Sequence, residues 1–297
     1  MNNMRTKTIY VMALIISIVL LVSGCQPAQQ NQDLSAGVYT GTSALQMTFR
    51  EGMPYSPVLK GENVDIGVEV KNFGAEDVVN GKIMVEGITS TNVPSQSFNI
   101  EGKKTSTRSF GGPEYVDFQN IPIQGDQSIL VTACYPYKTV LSKNFCYDPT
   151  TTTETRKEVC VFKEPNPITT GQGAPIAVTN VDISRRERGD TARLTITIEN
   201  KGSGNIRAPS AATADCEGRL PGPDDINRVM INKVEFSGKA GNCNPSIGSS
   251  VVMESGKAIL SCDFADMGTT ASLRQLNVEL SYGYISQSIV KDIKVES

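Results

Sequence analysis

The chain has 297 residues, 39% of them hydrophobic and 20% charged, a composition typical of one or two globular domains and too apolar for wholesale disorder. It contains no histidine and no tryptophan, which excludes an imidazole base, a His-containing catalytic triad and His metal ligands. The net charge of −3 argues against nucleic acid as a partner, because nucleic-acid binding depends on neutralising phosphates.

Residues 1–24 form a predicted export signal or hydrophobic anchor. Arg5 and Lys7 precede an apolar run, Thr8–Val22, which is shorter than the roughly 20 residues that cross a bilayer comfortably. The following residues, Leu21–Cys25, resemble the lipobox of prokaryotic lipoproteins, in which the cysteine is lipidated and becomes the new N-terminus. This resemblance implies lipid attachment at Cys25. The alternative is an uncleaved helix that stays in the membrane beside an incidental cysteine.

Residues 25–37 are predicted to be a flexible tether, because Gln26–Gln32 is an uncharged stretch of Gln, Asn, Pro and Ala. Either form of the N-terminus exports the residues that follow. We therefore expect a protein at the outer face of the cytoplasmic membrane or on the cell surface, with the membrane as one partner through a lipid or a hydrophobic helix.

An internal repeat organises the rest of the chain. Val64–Gly74 alternates apolar and polar residues and ends on Asn-x-Gly, and Ala192–Gly202 does the same 128 positions later. A period of two indicates an antiparallel strand with one buried face. The Asn and Gly residues that follow predict a tight turn with positive φ angles.

A second repeated motif lies near the end of each half of the sequence. Ile129–Tyr137 and Leu276–Tyr284 alternate up to a Tyr-x-Tyr, and each precedes a predicted return strand, Val140–Tyr147 or Ile289–Val295. Alternation with valines favours a core or core-edge position over a binding surface for the four tyrosines of these motifs. They are Tyr135, Tyr137, Tyr282 and Tyr284.

Many short strands with turn signals between them predict an all-β fold of two antiparallel β-sandwich domains. The first domain is expected at 38–163 and the second at 176–297. Residues 164–175 between them are rich in Pro and Gly, which prevents sustained strand pairing. We expect this linker to allow limited hinge motion between the two domains.

The repeated strand carries a resemblance to a known family. Ile66–Gly74 and Leu194–Gly202, together with the two Tyr-x-Tyr strands, look like the hallmarks of CARDB-type and related immunoglobulin-like domains of bacterial and archaeal surface proteins. The resemblance implies two tandem immunoglobulin-like sandwiches with an extracellular adhesive, scaffolding or spacer role, and it carries no catalytic residues. Tyr147–Lys157 and Ala208–Arg228 exceed a minimal domain of this kind and leave the strand count open.

Six cysteines follow the lipobox, and an even number in an exported chain favours disulfides. A Cys146–Cys160 bridge would staple the turn-rich excursion between them, and Cys134–Cys146 is the competing pair. Buried free thiols are the alternative. Three cysteines fall in each half, so pairing within the halves alone would leave one thiol over in each. The six are Cys134, Cys146, Cys160, Cys216, Cys243 and Cys262.

The sequence predicts no catalytic residues, no metal site and no cofactor. Nucleophile-elbow and P-loop spacings are absent from the sequence. Asp224 and Asp225 could offer oxygen ligands to calcium, although a solvated turn or a helix cap is favoured. Arg188–Asp190 matches an adhesion tripeptide, and a charged turn between two strands is the favoured interpretation.

The sequence therefore predicts a non-catalytic, membrane-anchored binding or structural protein of the cell surface, with an unidentified protein or cell-envelope partner and no nucleic acid. The alternative is an accessory subunit of a membrane secretion, transport or pilus complex. An extracellular hydrolase whose carboxylates meet only in the fold is the third possibility, since sequence spacing does not exclude it.

Overall fold

Strands dominate the computed structural model, which describes residues 37–89, 93–149, 160, 165–185, 190–286 and 288–296. The only helices among these residues are three short 3-10 turns, Pro209–Ala211, Asp215–Glu217 and Pro223–Asp225. The strands are β1 (Leu45–Phe49), β2 (Val58–Leu59), β3 (Asn63–Asn72), β4 (Val78–Glu86), β5 (Gln96–Ile100), β6 (Gly111–Pro122), β7 (Gln127–Tyr147), β8 (Ile176–Arg185), β9 (Ala192–Asn200), β10 (Asn205–Arg207), β11 (Arg228–Phe236), β12 (Lys239–Ala240), β13 (Asn242–Asn244), β14 (Ser250–Val252), β15 (Lys257–Phe264), β16 (Ser272–Ile285), β17 (Ile289–Ile293) and β18 (Val295–Glu296). The predicted all-β class is confirmed.

Each half contributes one small sheet, β1-β3-β6 or β13-β15-β9-β8. A nine-stranded sheet, which we call the shared sheet, takes strands from both halves in the order β12-β11-β16-β7-β4-β5, with β10, β14 and β17 paired at its sides. A fourth sheet is the parallel pair of β2 and β18. One apolar core includes residues of the three larger sheets, such as Ile66, Ile129 and Ile196. The alternation seen in the sequence therefore buries one side of each strand in a common interior.

The Asn-x-Gly motifs mark crossings between sheets. β3 lies in a small sheet and β4 in the shared sheet, and β9 and β10 are related in the same way. The predicted tight hairpin turn is wrong, because Asn72 and Gly74 do not have positive φ angles, and neither do Asn200 and Gly202. Both asparagine side chains instead form hydrogen bonds with backbone groups of the crossing segments.

The two Tyr-x-Tyr strands pair with each other at the middle of the shared sheet. β16 runs antiparallel to β7 from Ser272↔Tyr147 to Ile285↔Cys134, with Tyr282 opposite Tyr137 and Tyr284 opposite Tyr135. The predicted return strand Val140–Tyr147 is wrong in its direction. β7 continues without reversal for 21 residues, because its second part finds a partner in the other half.

The halves also exchange their last strands. The end of β7 pairs with β16, and β17, which closes the second half, pairs with the beginning of β7 from Ile289↔Val131 to Ile293↔Gln127. Gly37–Ser297 accordingly forms one compact unit. The boundaries predicted at 163 and 176 do not separate two bodies with a hinge between them, because the shared sheet runs through both halves.

The six cysteines form three disulfides, which confirms the disulfide prediction and indicates an oxidising compartment. Cys146 pairs with Cys160 rather than with Cys134. Cys243 joins Cys262 across β13 and β15. The third bridge, Cys134–Cys216, links β7 to the segment between β10 and β11 in the other half.

That segment, residues 208–227, is the excursion that exceeds a minimal domain, and we call it the insertion. Cys134, Cys216 and Ile285 form a small buried cluster beneath it. A Cβ on Gly283 would lie 2.4 Å from the Cα of Ala212, so only glycine lets the insertion pack this closely on β16. Within the described part of the chain, no helix is long and apolar enough to cross a membrane.

Candidate functional site

Four tyrosines gather where β7 and β16 cross the centre of the shared sheet. Ring centroids of neighbouring members lie 5.8 to 6.4 Å apart, and none of the four is more than 4% exposed. The predicted core position is confirmed. We call this group, Tyr135, Tyr137, Tyr282 and Tyr284, the tyrosine tetrad.

The hydroxyl of Tyr137 holds the first Asn-x-Gly crossing. It accepts a hydrogen bond from the Glu76 amide and donates to the Gly173 carbonyl, each at 3.2 Å. Asn72 ties the same turn, because its side chain accepts from the Gly74 amide at 2.9 Å and donates to the Glu76 carbonyl at 2.8 Å. A Cβ on Gly74 would lie 1.8 Å from the Tyr137 hydroxyl, so this position excludes every side chain.

Tyr284 holds the second crossing in the same manner. Its hydroxyl accepts from the Gly204 amide at 2.8 Å and donates to the Asn200 side-chain oxygen at 3.2 Å. Asn200 accepts from the Gly202 amide at 3.1 Å and donates to the Gly204 carbonyl at 3.0 Å. A Cβ on Gly202 would be 2.2 Å from the Tyr284 hydroxyl. The repeated Asn, Gly and Tyr residues thus form an equivalent set of contacts in each half.

The other two tyrosines hold the first strand of each half. The Leu45 amide, at the start of β1, donates to the Tyr135 hydroxyl. The Ile176 amide, at the start of β8, donates to the Tyr282 hydroxyl at 3.4 Å, and Thr139 bonds the same hydroxyl at 3.1 Å. β1 and β8 are therefore equivalent strands of the two halves, with Leu45 matching Ile176.

Burial raises the pKa of Tyr135 and of Tyr282 well above the ordinary phenol value of 10.0. Desolvation is also the main cause of the raised pKa of Tyr137. An ionised phenol in this interior would lose its hydration without gaining a cation. The tetrad hydroxyls consequently stay neutral hydrogen-bonding groups at physiological pH.

A groove of about 470 Å³ opens beside the tetrad, between β1 on one side and the 201–204 turn with the start of β17 on the other. We call it the junction groove, because both halves contribute to its walls. Among the described residues that line it, Lys201 is the only charged one, and its ammonium lies 2.6 Å from Glu199. Uncharged hydrogen-bonding side chains form most of the polar wall: Thr42, Ser43, Gln46, Ser203, Ser286 and Ser288.

One wall of the groove is the outer edge of β1. The Phe73 amide donates to the Ala44 carbonyl and the Arg50 amide donates to the Gly67 carbonyl, so the peptide groups of residues 44 and 50 face β3. Antiparallel alternation turns those of Leu45, Met47 and Phe49 the other way. Among the described residues, no hydrogen bond joins the outward peptide groups of Met47 or Phe49 to the chain.

A second depression of about 500 Å³ continues the groove past Ser203 and Ser286, under the insertion. Arg207 and Asp215 form a paired contact there at 2.8 and 2.9 Å. Because the Arg207 guanidinium is already paired with the Asp215 carboxylate, its charge is largely neutralised and attracts an anionic ligand less strongly.

The residues singled out for calcium do not converge on a site. Asp225 accepts from the Gly222 amide at 3.0 Å and caps a 3-10 turn, and Asp224 pairs with Arg228. Within the described ranges, no group of three or more Cys, Asp or Glu side chains could hold a metal ion. Cys25 and Arg188–Gly189 lie outside the described residues. The sequence indicated the tetrad tyrosines but not the junction groove, because no residue pattern shows which strand edge remains unpaired.

No protein-family model and no curated protein matches this chain. Eight chains of solved structures do, and one of them is the red sea bream transglutaminase, with 13% sequence identity and a TM-score of 0.20. The match covers 92% of this chain and 34% of the transglutaminase chain, so this chain spans about a third of that protein's length.

The expectation that the chain is not an enzyme is withdrawn, because this similar solved structure is that of an enzyme. At a TM-score of 0.20, the likeness assigns neither fold nor activity to this chain.

Proposed function

We propose that this chain is an exported, membrane-anchored binding protein that holds a protein partner outside the cell through the junction groove. The observation that carries the proposal is a groove whose walls come from both halves and in which, among the described residues, the outward peptide groups of Met47 and Phe49 have no hydrogen bond to the chain. Exposed strand edges are common sites of protein association, because their unpaired peptide groups form hydrogen bonds with a second chain. The three disulfides support export.

The architecture of Gly37–Ser297 suits such a role. Two immunoglobulin-like sandwiches, as the CARDB-type resemblance implies, would have fused through the pairing of β7 with β16. The shared sheet and the Cys134–Cys216 bridge across the halves hold both walls of the groove in a fixed relation. Binding then needs little ordering of the protein itself, which limits the entropy lost on association.

The anchor is tested by mass spectrometry of the chain purified from membranes. We expect a mature N-terminus at Cys25 that carries a diacylglyceryl or similar lipid. Cys25→Ser should leave an unlipidated chain, since serine has no thiol to accept the lipid. An intact Met1 on a membrane-spanning chain would contradict the lipoprotein proposal and favour the uncleaved anchor.

The binding role is tested by photocrosslinking in intact cells. A photoreactive amino acid replaces Gln46, which is exposed in the groove wall, and in a matched control it replaces Gln275, which is exposed on β16 away from the groove. We expect a defined adduct from position 46 and none of the same mass from position 275. Equal labelling at both positions, or none at either, would contradict a partner in the groove.

A further inference from the structure

The insertion contains a loop, residues 218–223, that carries the most exposed large apolar side chain of the described residues. Leu220 is 97% exposed, whereas the other exposed side chains of this kind are 40–62% exposed. Single exposed apolar residues are common on protein surfaces, so exposure alone does not identify a site. The contacts around Leu220 show in addition that the loop holds this side chain in water. We call residues 219–223 the Leu220 tip.

Hydrogen bonds on both sides of Leu220 fix the loop. On the N-terminal side, the Arg219 amide donates to the Ala214 carbonyl at 2.9 Å. On the C-terminal side, the Gly222 amide donates to the Asp225 carboxylate at 3.0 Å. The insertion itself is joined to β7 by its disulfide. The leucine is therefore presented by an ordered backbone, and little further ordering is needed when the side chain is buried against something else.

The tip has few backbone amides that would lose a hydrogen bond on leaving water. Pro221 and Pro223 have no amide hydrogen, and the amides of Arg219 and Gly222 are bonded within the insertion. In this tip, only Leu220 has an amide without a hydrogen bond to the described part of the chain. Unpaired polar groups make transfer out of water costly. The Leu220 tip therefore enters a less polar phase at a lower cost than an ordinary loop.

Charged residues beside the tip are paired with one another. Arg219 lies 3.3 Å from Glu217, and Arg228 lies 2.9 Å from Asp224. The Arg207–Asp215 pair lies beneath them. Residues 207–228 contain three arginines and four acids, so their net charge is 3 − 4 = −1. A surface this close to neutral attracts a strongly charged partner weakly, which leaves the apolar side chain as the main source of binding free energy.

We propose that the Leu220 tip inserts into the outer surface of a lipid bilayer, the same membrane that holds the anchor of the chain. This inference rests on the membrane anchor in the proposed function and adds a second contact with the membrane. One leucine buries too little apolar area to keep a free protein on a bilayer. An anchor at Cys25 makes the contact intramolecular and thereby raises its effective concentration.

The length of chain between the anchor and Gly37 permits both contacts at once. Cys25 precedes Gly37 by 37 − 25 = 12 residues, and an extended chain of that length spans about 40 Å. A compact unit of the size of Gly37–Ser297 has a radius of gyration of about 18 Å. The connection is thus long enough for a bilayer to be reached from Leu220 while Cys25 stays at its surface.

A bilayer accounts for the tip better than a protein pocket does. Stable protein interfaces bury about 1,200 Å² or more and depend mainly on Trp, Tyr and Arg side chains, whereas residues 218–223 offer one leucine and no aromatic side chain. A bilayer needs no complementary surface. The depression bordered by Leu220 and Pro221 continues the junction groove, so this contact also holds the groove close to the membrane.

A single fluorophore tests the contact, because the chain has no tryptophan of its own. Leu220→Trp places one at the tip. Leu273→Trp is the matched control, since Leu273 is 62% exposed and pairs with Cys146 at the far end of the β7–β16 ladder from Ile285. Both full-length, membrane-anchored chains are reconstituted into phosphatidylcholine vesicles with and without dibrominated acyl chains. Bromine quenches only a tryptophan that lies among the lipids, so we expect at least threefold more quenching of Leu220→Trp than of Leu273→Trp.

The lipid composition gives a second readout. Because the net charge around the tip is close to zero, replacing part of the phosphatidylcholine with phosphatidylglycerol should change the quenching of Leu220→Trp less than twofold. Quenching that appears only with the anionic lipid would overturn the inference, because it would assign the contact to charged side chains rather than to the apolar tip.

Two further results would also overturn the inference. One is equal quenching of the two variants. The other is shielding of Leu220→Trp from aqueous iodide without quenching by bromine, which would assign the tip to a second copy of the chain. The proposed function fails separately, because it is tested by the lipid at Cys25 and by the adduct at position 46. A lipidated Cys25 with no bromine quenching at position 220 would remove the contact of the tip and leave the anchor.

Discussion

The tetrad hydroxyls show how one atom can secure a long-range crossing. Tyr137 reaches the turn after β3 and the linker carbonyl of Gly173 at once. Both partners are buried, so neither can replace the lost bond with water. Removing a partner from a buried peptide group costs more than the hydrogen bond itself contributes, because the group stays desolvated.

Tyr137→Phe should therefore lower the free energy of unfolding by about 1–3 kcal/mol. Tyr55→Phe is the control, since Tyr55 is 43% exposed and its hydroxyl bonds to Glu62 at the surface. It should change stability by less than about 0.5 kcal/mol. Urea unfolding of both variants measures the difference. Equal effects would mean that the Tyr137 hydroxyl does not secure the crossing.

Alkaline pH should destabilise the protein, because the buried tetrad tyrosines keep their protons only in the folded state. The folded-state pKa of Tyr135, Tyr137 and Tyr282 is raised above 10.0 by burial. Their contribution to stability is complete below about pH 10, where the unfolded chain also keeps its phenol protons. It declines above that pH by up to about 1.4 kcal/mol per unit for each tyrosine, because only the unfolded chain releases the proton.

Urea unfolding between pH 8 and pH 11, followed together with tyrosinate absorbance, checks this expectation. The buried tyrosines should ionise only as the β-sheet signal is lost. Tyr282→Phe should give a shallower decline of stability with pH than the unaltered chain. Complete ionisation of the nine tyrosines while the sheet signal persists would contradict the prediction.

Among the elements, β7 decides the architecture. It carries the tetrad residues of the first half, pairs with β4, β16 and β17, and anchors the insertion through Cys134. The insertion has only short 3-10 turns of its own. Its position on the shared sheet therefore depends on the disulfide, on the Arg207–Asp215 pair and on the space above Gly283.

Replacing Cys134 and Cys216 with serine together should loosen the insertion first. The bridge closes a separation of 82 residues and that of Cys243–Cys262 only 19. Chain-entropy estimates give about 4.5 kcal/mol for the longer loop and about 3 kcal/mol for the shorter. Thermal unfolding should follow this order, and limited proteolysis should cut first within residues 208–227. The control replaces Cys243 and Cys262 with serine together. Equal protection of residues 208–227 in the two double variants would contradict the dependence of the insertion on the Cys134–Cys216 bridge.

At the scale of the whole molecule, the shared sheet makes the halves interdependent. Each half alone would expose the full edge of β7 or β16, which pair over 14 residues of β16. Unpaired edges of this length lead to association rather than to a stable fold. The last strand segment of each half, the end of β7 or β17, pairs with a strand of the other half.

The full-length chain should consequently unfold in one calorimetric transition for Gly37–Ser297, while residues 38–163 and 176–297 produced separately should not unfold cooperatively. Cleavage in the 164–175 linker should leave the two pieces associated even after reduction of Cys134–Cys216. A half that unfolds cooperatively near the midpoint of the full chain would contradict this dependence and restore two independent domains.

Local features were readable in advance because they depend on short-range periodicity. The alternation of Val64–Gly74 and of Leu276–Tyr284 already indicates strands with one buried face, and the even cysteine number indicates disulfides. The importance of the repeated Asn, Gly and Tyr residues was also visible. Their role was not, since Gly74 is required by the approach of Tyr137 from 63 positions away and not by its own φ angle.

The partners of each strand edge came only from the tertiary structure. A pleated strand has two equivalent edges, and its residue pattern specifies which face is buried but not which strand lies beside it. Nothing in Val140–Tyr147 distinguishes a return hairpin from pairing with β16. The same reason explains why Cys134 could not be matched to Cys216, and why the junction groove became visible only once both halves were folded together.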